Sequence, residues 1–160
     1  MESSHARITV AAVAVRDDRF LLIEETVRGK TMITQPSGHW EPGESLHDAA
    51  VRETLEESAF AFVPEAVGGL YFWRHPVRGY PVARVNFIGQ ASGPVPDAEL
   101  DKGVERALWL TRDELMTHPT PLRNPMVIRT IDDYLAGKRY PLELLQHVEK
   151  DWRAREQPAA

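Results

Sequence analysis

Apolar residues open the chain in two runs with the composition of β-strands. Residues 8–15 are β-branched or small, and a second apolar run at 20–25 follows the polar turn 16–19. Two such runs joined by a short polar turn predict a β-hairpin. A second hairpin is predicted from 68–76 and 80–90, and a short strand from 105–110.

Helix boundaries are marked by capping residues, proline and glycine. Ser45 followed by Asp48 has the spacing of a capping box, which predicts a helix over 45–58. A second capping box, at Thr111 and Glu114, predicts a helix after the last strand. A third helix is predicted between Pro125 and Gly137.

The breaker-rich segment 31–43, with two prolines and two glycines, is expected to be a loop of defined shape. Strands that alternate with helices, yet are joined partly by hairpins, predict an α/β fold. In such a fold a mixed β-sheet is covered by helices on its faces. At 160 residues, we expect residues 1–160 to form one domain.

Composition narrows the classes of partner. The chain contains no cysteine, which excludes disulfides, thiolate metal ligands and a cysteine nucleophile. No apolar stretch predicts a membrane span or an export signal, so we expect a cytoplasmic protein without a membrane partner. A net charge of −5 argues against nucleic-acid binding. An anionic partner would therefore need a cation as mediator.

Three acids crowd one side of the helix predicted over 45–58. At 100° per residue, Glu53, Glu56 and Glu57 fall within an arc of about 100°. Two interpretations follow, a solvated acidic face or a site for a hard cation such as Mg²⁺, which prefers oxygen ligands. Arg52 lies one turn before Glu56 and is expected to hold that carboxylate. Glu53 and Glu57 would then be the freer pair.

The opposite side of the same helix carries Val51, Leu55 and Ala59. We expect this apolar stripe to be the buried side, with the acids held outward.

The spacing of the charged residues resembles a known motif. Gly38, Glu44, Arg52, Glu53, Glu56 and Glu57 match the glycine and all five charged positions of the Nudix box, which here spans 38–60. Two positions depart from the pattern, Thr54 in place of an apolar residue and Ala59 in place of the second glycine. Flanking segments between about 7 and 145 are similar to a bacterial phosphatase subfamily of the Nudix hydrolases.

The resemblance implies the Nudix fold, an α/β/α sandwich with a mixed sheet and a loop–helix–loop motif. It also implies Mg²⁺-dependent cleavage of phosphoanhydrides, with Mn²⁺ as the alternative ion. The implied substrates are nucleoside tri- and diphosphates and small diphosphate esters, such as that of hydroxymethylpyrimidine. Orthophosphate would be released. Two alternatives stay open, a Nudix pyrophosphohydrolase that releases pyrophosphate and a nucleotide-binding module without catalysis.

The resemblance also implies roles for the residues of the box. Glu53 and Glu57 are the expected principal metal ligands, with backbone carbonyls near Gly38 completing the shell. Glu56 is a third ligand or the group that orients water, and Glu44 is expected to brace Arg52. The general base is either Glu56 or Glu105, an acid outside the box that otherwise is a strand-edge charge.

For several residues outside the box, both a substrate-binding role and a simpler structural explanation are possible. Arg28 and Lys30 are candidates for contacting phosphates, or are the polar end of a hairpin. His39 adjoins the expected metal site, or is a solvated loop residue. Tyr71 and Trp73 are candidates for stacking on a base, or belong to the core.

The C-terminal tail, residues 146–160, is expected to fray. Leu142, Leu145 and Val148 have helical spacing, which favours a surface or dimer-contact helix. We therefore expect a monomer or a homodimer.

Overall fold

The computed structural model describes residues 5–148. Within these residues, seven strands and three α-helices follow one another. They are β1 Arg7–Arg16, β2 Arg19–Val27, β3 Lys30–Thr34, β4 Ser37–His39, α1 Leu46–Ser58, β5 Ala61–Arg74, β6 Pro81–Ser92, β7 Val104–Leu110, α2 Arg112–Thr117 and α3 Met126–Leu135, followed by a 3₁₀ turn at Leu142–Leu144.

The strands form one mixed sheet in the order β3-β2-β1-β6-β5, with β4 paired to β1 and β7 paired to β2. The β1–β6 pair is parallel, and the other strand pairs are antiparallel. β1 and β2 pair only next to their turn, through Val15–Phe20 and Arg16–Arg19. Farther from the turn the two strands separate, and β4 pairs with β1 there instead.

The sheet is covered on both sides. On one side, Val10, Ala12 and Phe87 pack with Ala49 and Ala50 of α1. On the other side, a second cluster joins the sheet to α2 and α3; it includes Val13, Leu22, Leu115, Val127 and Ile131. Alternate residues of β1 thus serve opposite clusters, as the two-residue period of a strand requires. The predicted α/β/α sandwich with a mixed sheet is confirmed.

The predicted hairpins, the short strand β7 and all three predicted helices are present. Both capping boxes form, at Ser45 with Asp48 and at Thr111 with Glu114. The prediction of a continuous loop over 31–43 was wrong, because β3 pairs with β2 and β4 pairs with β1 inside that segment. No helix among residues 5–148 is long and apolar enough to cross a membrane.

The predicted C-terminal helix is wrong where the structure describes it. Leu142 begins a single 3₁₀ turn, and the chain then continues without helix to Val148. Leu142 and Leu145 pack against the core cluster beneath α1. The rest of the predicted tail, residues 149–160, lies outside the described residues.

Candidate active site

Strand β4 and helix α1 bring the two ends of the Nudix box together. The Pro36 carbonyl accepts a hydrogen bond from the Ala12 N–H at 3.0 Å, and Ser37–His39 then pair with β1. The Ser45 hydroxyl accepts from the Asp48 N–H at 3.0 Å and starts α1. The loop between them is therefore fixed at both ends, with β4 lying beside the helix.

Arg52 organises the charged residues of the box. Its Nε donates to Glu44 Oε2 at 3.0 Å and its Nη2 to Glu44 Oε1 at 2.7 Å, a bidentate pair. Its Nη1 donates to Glu53 at 2.9 Å and to Glu56 at 3.1 Å, and its Nη2 to the His39 carbonyl at 3.1 Å. The predicted contact between Glu44 and Arg52 is present. The predicted contact between Arg52 and Glu56 is also present. The expectation that Glu53 is left free was wrong, because Arg52 bonds to it as well.

Glu57 is the least compensated acid of the box. It accepts one hydrogen bond, from the Ser37 N–H at 2.6 Å. Desolvation, opposed by that bond and reinforced by the charges of Glu25 and Glu53, raises the pKa of Glu57 to about 8. Desolvation also raises the pKa of Glu53, although Arg52 opposes the rise. Ionisation of the pair is therefore costly in this partly dry place, and a bound cation would offset that cost.

Gly38 allows this close approach of helix and strand. A Cβ atom at Gly38 would lie 2.0 Å from the carboxyl carbon of Glu53 and 2.1–2.2 Å from its oxygens. Any side chain at this position would displace the Glu53 carboxylate. The glycine is thus required by contact, since its φ lies outside the left-handed region.

The buried side of α1 differs from the expectation. Leu55 is 37% exposed, whereas Glu53 is 9% exposed and Thr54 is fully buried. The apolar stripe was expected to be buried because an analysis of hydrophobic periodicity gives most weight to large apolar residues. Small residues make the contact instead, since Ala49 and Ala50 allow α1 to lie close to the sheet. The acids consequently lie at the edge of the buried face rather than opposite it.

Local geometry shows how Thr54 is accommodated in the helix and why glycine would be favoured at position 59. The Thr54 hydroxyl donates to the Ala50 carbonyl at 2.7 Å, which satisfies it within the helix. Ala59 ends the helix in the left-handed conformation, with φ 61° and ψ 20°. This is the conformation for which glycine is favoured. Neither residue contacts the carboxylates of the box through a hydrogen bond.

Sequence reasoning missed three charged residues that the fold brings to this acid pair. Glu25 of β2 and Arg84 of β6 are both buried. The charge of Glu25 acts on Glu57, and the charges of Glu25 and Glu57 act on Arg84. Arg123 pairs with Glu25 through a short hydrogen bond. Two features of the sequence could have indicated these residues. Glu25 is an acid at the end of an apolar run, and Arg84 is an arginine within one. Arg123 lies in one of the flanking segments that carried the resemblance.

The two predicted stacking residues are half-buried and lie on the same side of β5. Phe72, between them, is 75% exposed on the other side, as strand alternation predicts. The Tyr71 hydroxyl donates to Asp133 of α3 at 2.9 Å. The Trp73 Nε1 is buried and has no hydrogen-bond partner within the described residues.

Other predicted residues differ in their placement. Arg28 and Lys30 are exposed at the β2–β3 turn, where Arg28 acts electrostatically on His75 together with Arg123. Partial desolvation of the ring, and then the charges of Arg7, Arg123 and Arg84, lower the pKa of His39. Glu105 is exposed on β7 and forms no side-chain hydrogen bond or ion pair within residues 5–148.

The donor set of the box suits a hard divalent cation, because it consists of carboxylate oxygens beside the backbone of Gly38. With the side chains as they lie, no group of three or more His, Cys, Asp or Glu residues in the described part of the chain is arranged to hold a metal ion. Glu53 and Glu56 are turned to Arg52, and Glu57 to Ser37. Ion binding would require these carboxylates to turn from those partners. The raised pKa values of Glu53 and Glu57 favour partners that stabilise their charged forms, as a cation would.

Comparisons with known proteins show which family the chain belongs to. A NUDIX domain profile matches residues 5–130. The chain is 33% identical over 138 residues to phosphatase NudJ of Escherichia coli K12, covering 86% of this chain and 89% of that protein. It is 44% identical to a solved NUDIX hydrolase from Nitrosomonas europaea, with a TM-score of 0.85, covering 89% and 97% of the two chains.

A more distant structure, a C. elegans Ap4A hydrolase in a binary complex, shares the fold at 20% identity and a TM-score of 0.59, covering 82% of this chain and 99% of that one. The profile match spans most of the chain and includes the whole box. The chain belongs to the NUDIX family, whose members here include a phosphatase, and is a hydrolase that acts on phosphoanhydrides.

Proposed function

We propose that this chain is a Mg²⁺-dependent phosphatase that removes the terminal phosphate from nucleoside tri- and diphosphates and from small diphosphate esters, such as hydroxymethylpyrimidine diphosphate. The observation that carries the proposal is the acid pair Glu53 and Glu57, of which only Glu53 has an arginine partner, with Arg84 and Arg123 close by. A metal ion on the two acids, together with the neighbouring arginines, would provide positive charge for binding a chain of phosphates. Similarity to phosphatase NudJ supports release of orthophosphate.

In this proposal Glu53, Glu57 and the Gly38 carbonyl would hold the ion, and Glu56 would be a third ligand or the group that orients water. The bound ion would neutralise phosphate charge and lower the pKa of an attacking water. Arg52, held by Glu44, keeps α1 in register with β4 and sets the positions of Glu53 and Glu56. The water would attack the terminal phosphorus and break the anhydride bond to the rest of the substrate, so that the terminal phosphate is released as orthophosphate.

The general base in this scheme is Glu56 or Glu105. Glu56 is half-buried and bonded to Arg52, whereas Glu105 is exposed on β7. A base substitution lowers turnover with little change in metal affinity, whereas a ligand substitution lowers both. Glu56→Gln and Glu105→Gln, assayed for turnover and for Mg²⁺ affinity, would assign the role.

Arg28, Lys30, His39, Tyr71 and Trp73 remain proposed substrate contacts. Trp73 is the stronger candidate of the two rings, because Tyr71 is already bonded to Asp133. The cytoplasmic location and the monomeric or homodimeric state also stay predictions.

The test is the identity of the products. With Mg²⁺, a nucleoside triphosphate should give the diphosphate and orthophosphate, and a diphosphate should then give the monophosphate. Ion-exchange chromatography of nucleotides, with separate assays for orthophosphate and pyrophosphate, measures this directly. Direct formation of a monophosphate and pyrophosphate would contradict the proposal. Binding without turnover across the panel would favour the binding-module alternative.

A further inference from the structure

A buried arginine lies beside the acid pair without an ion-pair partner. Arg84 is near the start of β6, opposite Thr9 of β1 and Tyr71 of β5. It is 8% exposed. Its Nε donates to the Thr9 hydroxyl at 3.4 Å, and its Nη1 is enclosed without a partner. No carboxylate within the described residues lies within ion-pair distance of it.

Such an arrangement costs stability. A guanidinium removed from water and left unpaired retains most of its desolvation penalty. Desolvation lowers the pKa of Arg84 to about 10, so it stays charged at neutral pH. A buried cation that the fold does not compensate is therefore expected to serve a ligand.

The neighbouring polar side chains indicate the chemistry of that ligand. Trp73, Arg84 and Asn86 lie on one face of the β5–β6 pair, by strand alternation and register. Their unpartnered buried atoms are the Trp73 Nε1, the Arg84 Nη1 and both side-chain amide atoms of Asn86. Three of these four atoms are donors. A donor-rich face fits a ligand that mainly accepts hydrogen bonds.

The surrounding charge points the same way. Arg84 is close enough to Glu57 and Glu25 for their charges to act on it, and Arg123 opposes them from the same neighbourhood. His39 feels the charges of Arg7, Arg84 and Arg123 together. A group of cations thus adjoins the acid pair. An anion that reaches from the acids towards β6 would meet Arg84.

We propose that Arg84 binds an oxygen of the substrate's phosphate chain, as a phosphate-binding residue outside the Nudix box that acts without the metal. The inference rests on the proposed function for the identity of the ligand. The guanidinium contributes two or more donors in a fixed plane, a geometry that matches phosphate oxygens. Substrates would be selected by their phosphates rather than by their bases, which suits a broad specificity.

The test measures binding of inorganic pyrophosphate in EDTA, so that no divalent ion contributes. Calorimetry and thermal unfolding compare the parent with Arg84→Gln, Arg84→Lys and Arg139→Gln at constant ionic strength. Arg139 is a matched control because it is exposed and its ion pair with Glu65, at 3.6 Å, is outside this cluster. We expect Arg84→Gln to weaken pyrophosphate binding by about tenfold or more. The pyrophosphate affinity of Arg84→Lys should lie between those of the parent and Arg84→Gln, and that of Arg139→Gln should equal the parent's.

Thermal stability separates a binding role from a structural one. Because the unpaired charge is costly, ligand-free Arg84→Gln should melt at the same temperature as the parent or higher, with no rise on adding pyrophosphate. Parent-like pyrophosphate affinity in Arg84→Gln would overturn the proposal. So would a parent that binds no pyrophosphate without metal, or a clear loss of folding in Arg84→Gln. Orthophosphate release with Mg²⁺ is scored separately, so failure of the proposed function leaves this result distinct.

Discussion

Two carboxylates in this molecule, of the buried Asp133 and the half-buried Glu57, have opposite environments. Asp133 of α3 accepts hydrogen bonds from Lys138 at 2.7 Å, Tyr71 at 2.9 Å and Arg129 at 3.0 Å, and these lower its pKa to about 2. Glu57 of α1 accepts one bond from Ser37, and desolvation raises its pKa to about 8. The charge of Asp133 is fully satisfied by its hydrogen-bond donors, and the residue has a structural role. The charged form of Glu57, in contrast, is left largely uncompensated by the fold.

The contrast indicates where stability has been given up for function. A carboxylate with three donors stabilises the elements that it joins, here α3, β5 and the segment after α3. A carboxylate with one donor and acidic neighbours destabilises the protein until a cation arrives. Substitutions at the two positions should therefore act on different quantities, stability at Asp133 and turnover at Glu57.

The largest expected effect is at Glu57. Glu57→Gln should lower Mg²⁺-dependent turnover by several orders of magnitude, because the proposed principal ligand is lost. The melting temperature of the metal-free protein at pH 7 should stay the same or rise, since a carboxyl group whose ionisation the fold disfavours is replaced by a neutral amide. Glu53→Gln should behave similarly. Steady-state phosphate release and calorimetry of the EDTA-treated protein measure the two effects. Near-parent turnover in either variant would refute the ligand assignment.

Glu44 lies in the site yet resembles Asp133, because Arg52 compensates it and lowers its pKa. Glu44→Gln should weaken the bidentate pair and reduce turnover by about 10–100-fold, the range for residues that orient metal ligands. Glu41→Gln is the matched control, since the Glu41 side chain is exposed and only its backbone contacts Glu44. Equal turnover in the two variants would show that bracing Arg52 is unimportant.

Asp133→Asn should destabilise the protein by about 1–3 kcal/mol at pH 7, because charge-assisted bonds from three residues are weakened. The pKa of Asp133 is lower in the folded state than its ordinary 3.8. Its contribution is therefore present above about pH 4 and is lost as the pH falls towards 2. Urea unfolding of parent and variant at several pH values tests this. A difference that persists unchanged at pH 2 would contradict the assigned cause.

The smallest expected effect is at Ala59, which departs from the box pattern. Ala59→Gly should stabilise the protein by about 1 kcal/mol, because glycine adopts its left-handed conformation without strain. Turnover should stay within a fewfold of the parent. Gly43→Ala is the reverse control, with φ 93° and open space around it, and should be destabilising. A large gain in turnover from Ala59→Gly would show that the departure impairs the site.

Local signals predicted much of the fold. Capping boxes at Ser45 and Thr111 placed two helices, and Pro125 with Gly137 bracketed the third. Strands β3 and β4 were missed because their pairing partners, β2 and β1, lie elsewhere in the chain. The buried face of α1 was misjudged because the small residues Ala49 and Ala50, rather than Leu55, make the close contact with the sheet.

The candidate site was predictable to the extent that its residues are close in sequence. The box supplied Glu44, Arg52, Glu53, Glu56 and Glu57 through their spacing. Glu25, Arg84 and Arg123 were not identified, because they reach the site only through the sheet order and the loop after α2. No local pattern distinguishes a buried, unpaired arginine from one at a strand edge.

The central claim is that Glu57 is left uncompensated in order to bind a divalent cation. Titration of Mg²⁺ into the metal-free protein, followed by calorimetry, tests it most directly with Glu57→Gln and Asp133→Asn compared at pH 7.5. We expect the parent and Asp133→Asn to bind Mg²⁺ with similar affinity, and Glu57→Gln to bind it at least about tenfold more weakly. Parent-like Mg²⁺ affinity in Glu57→Gln would contradict the claim.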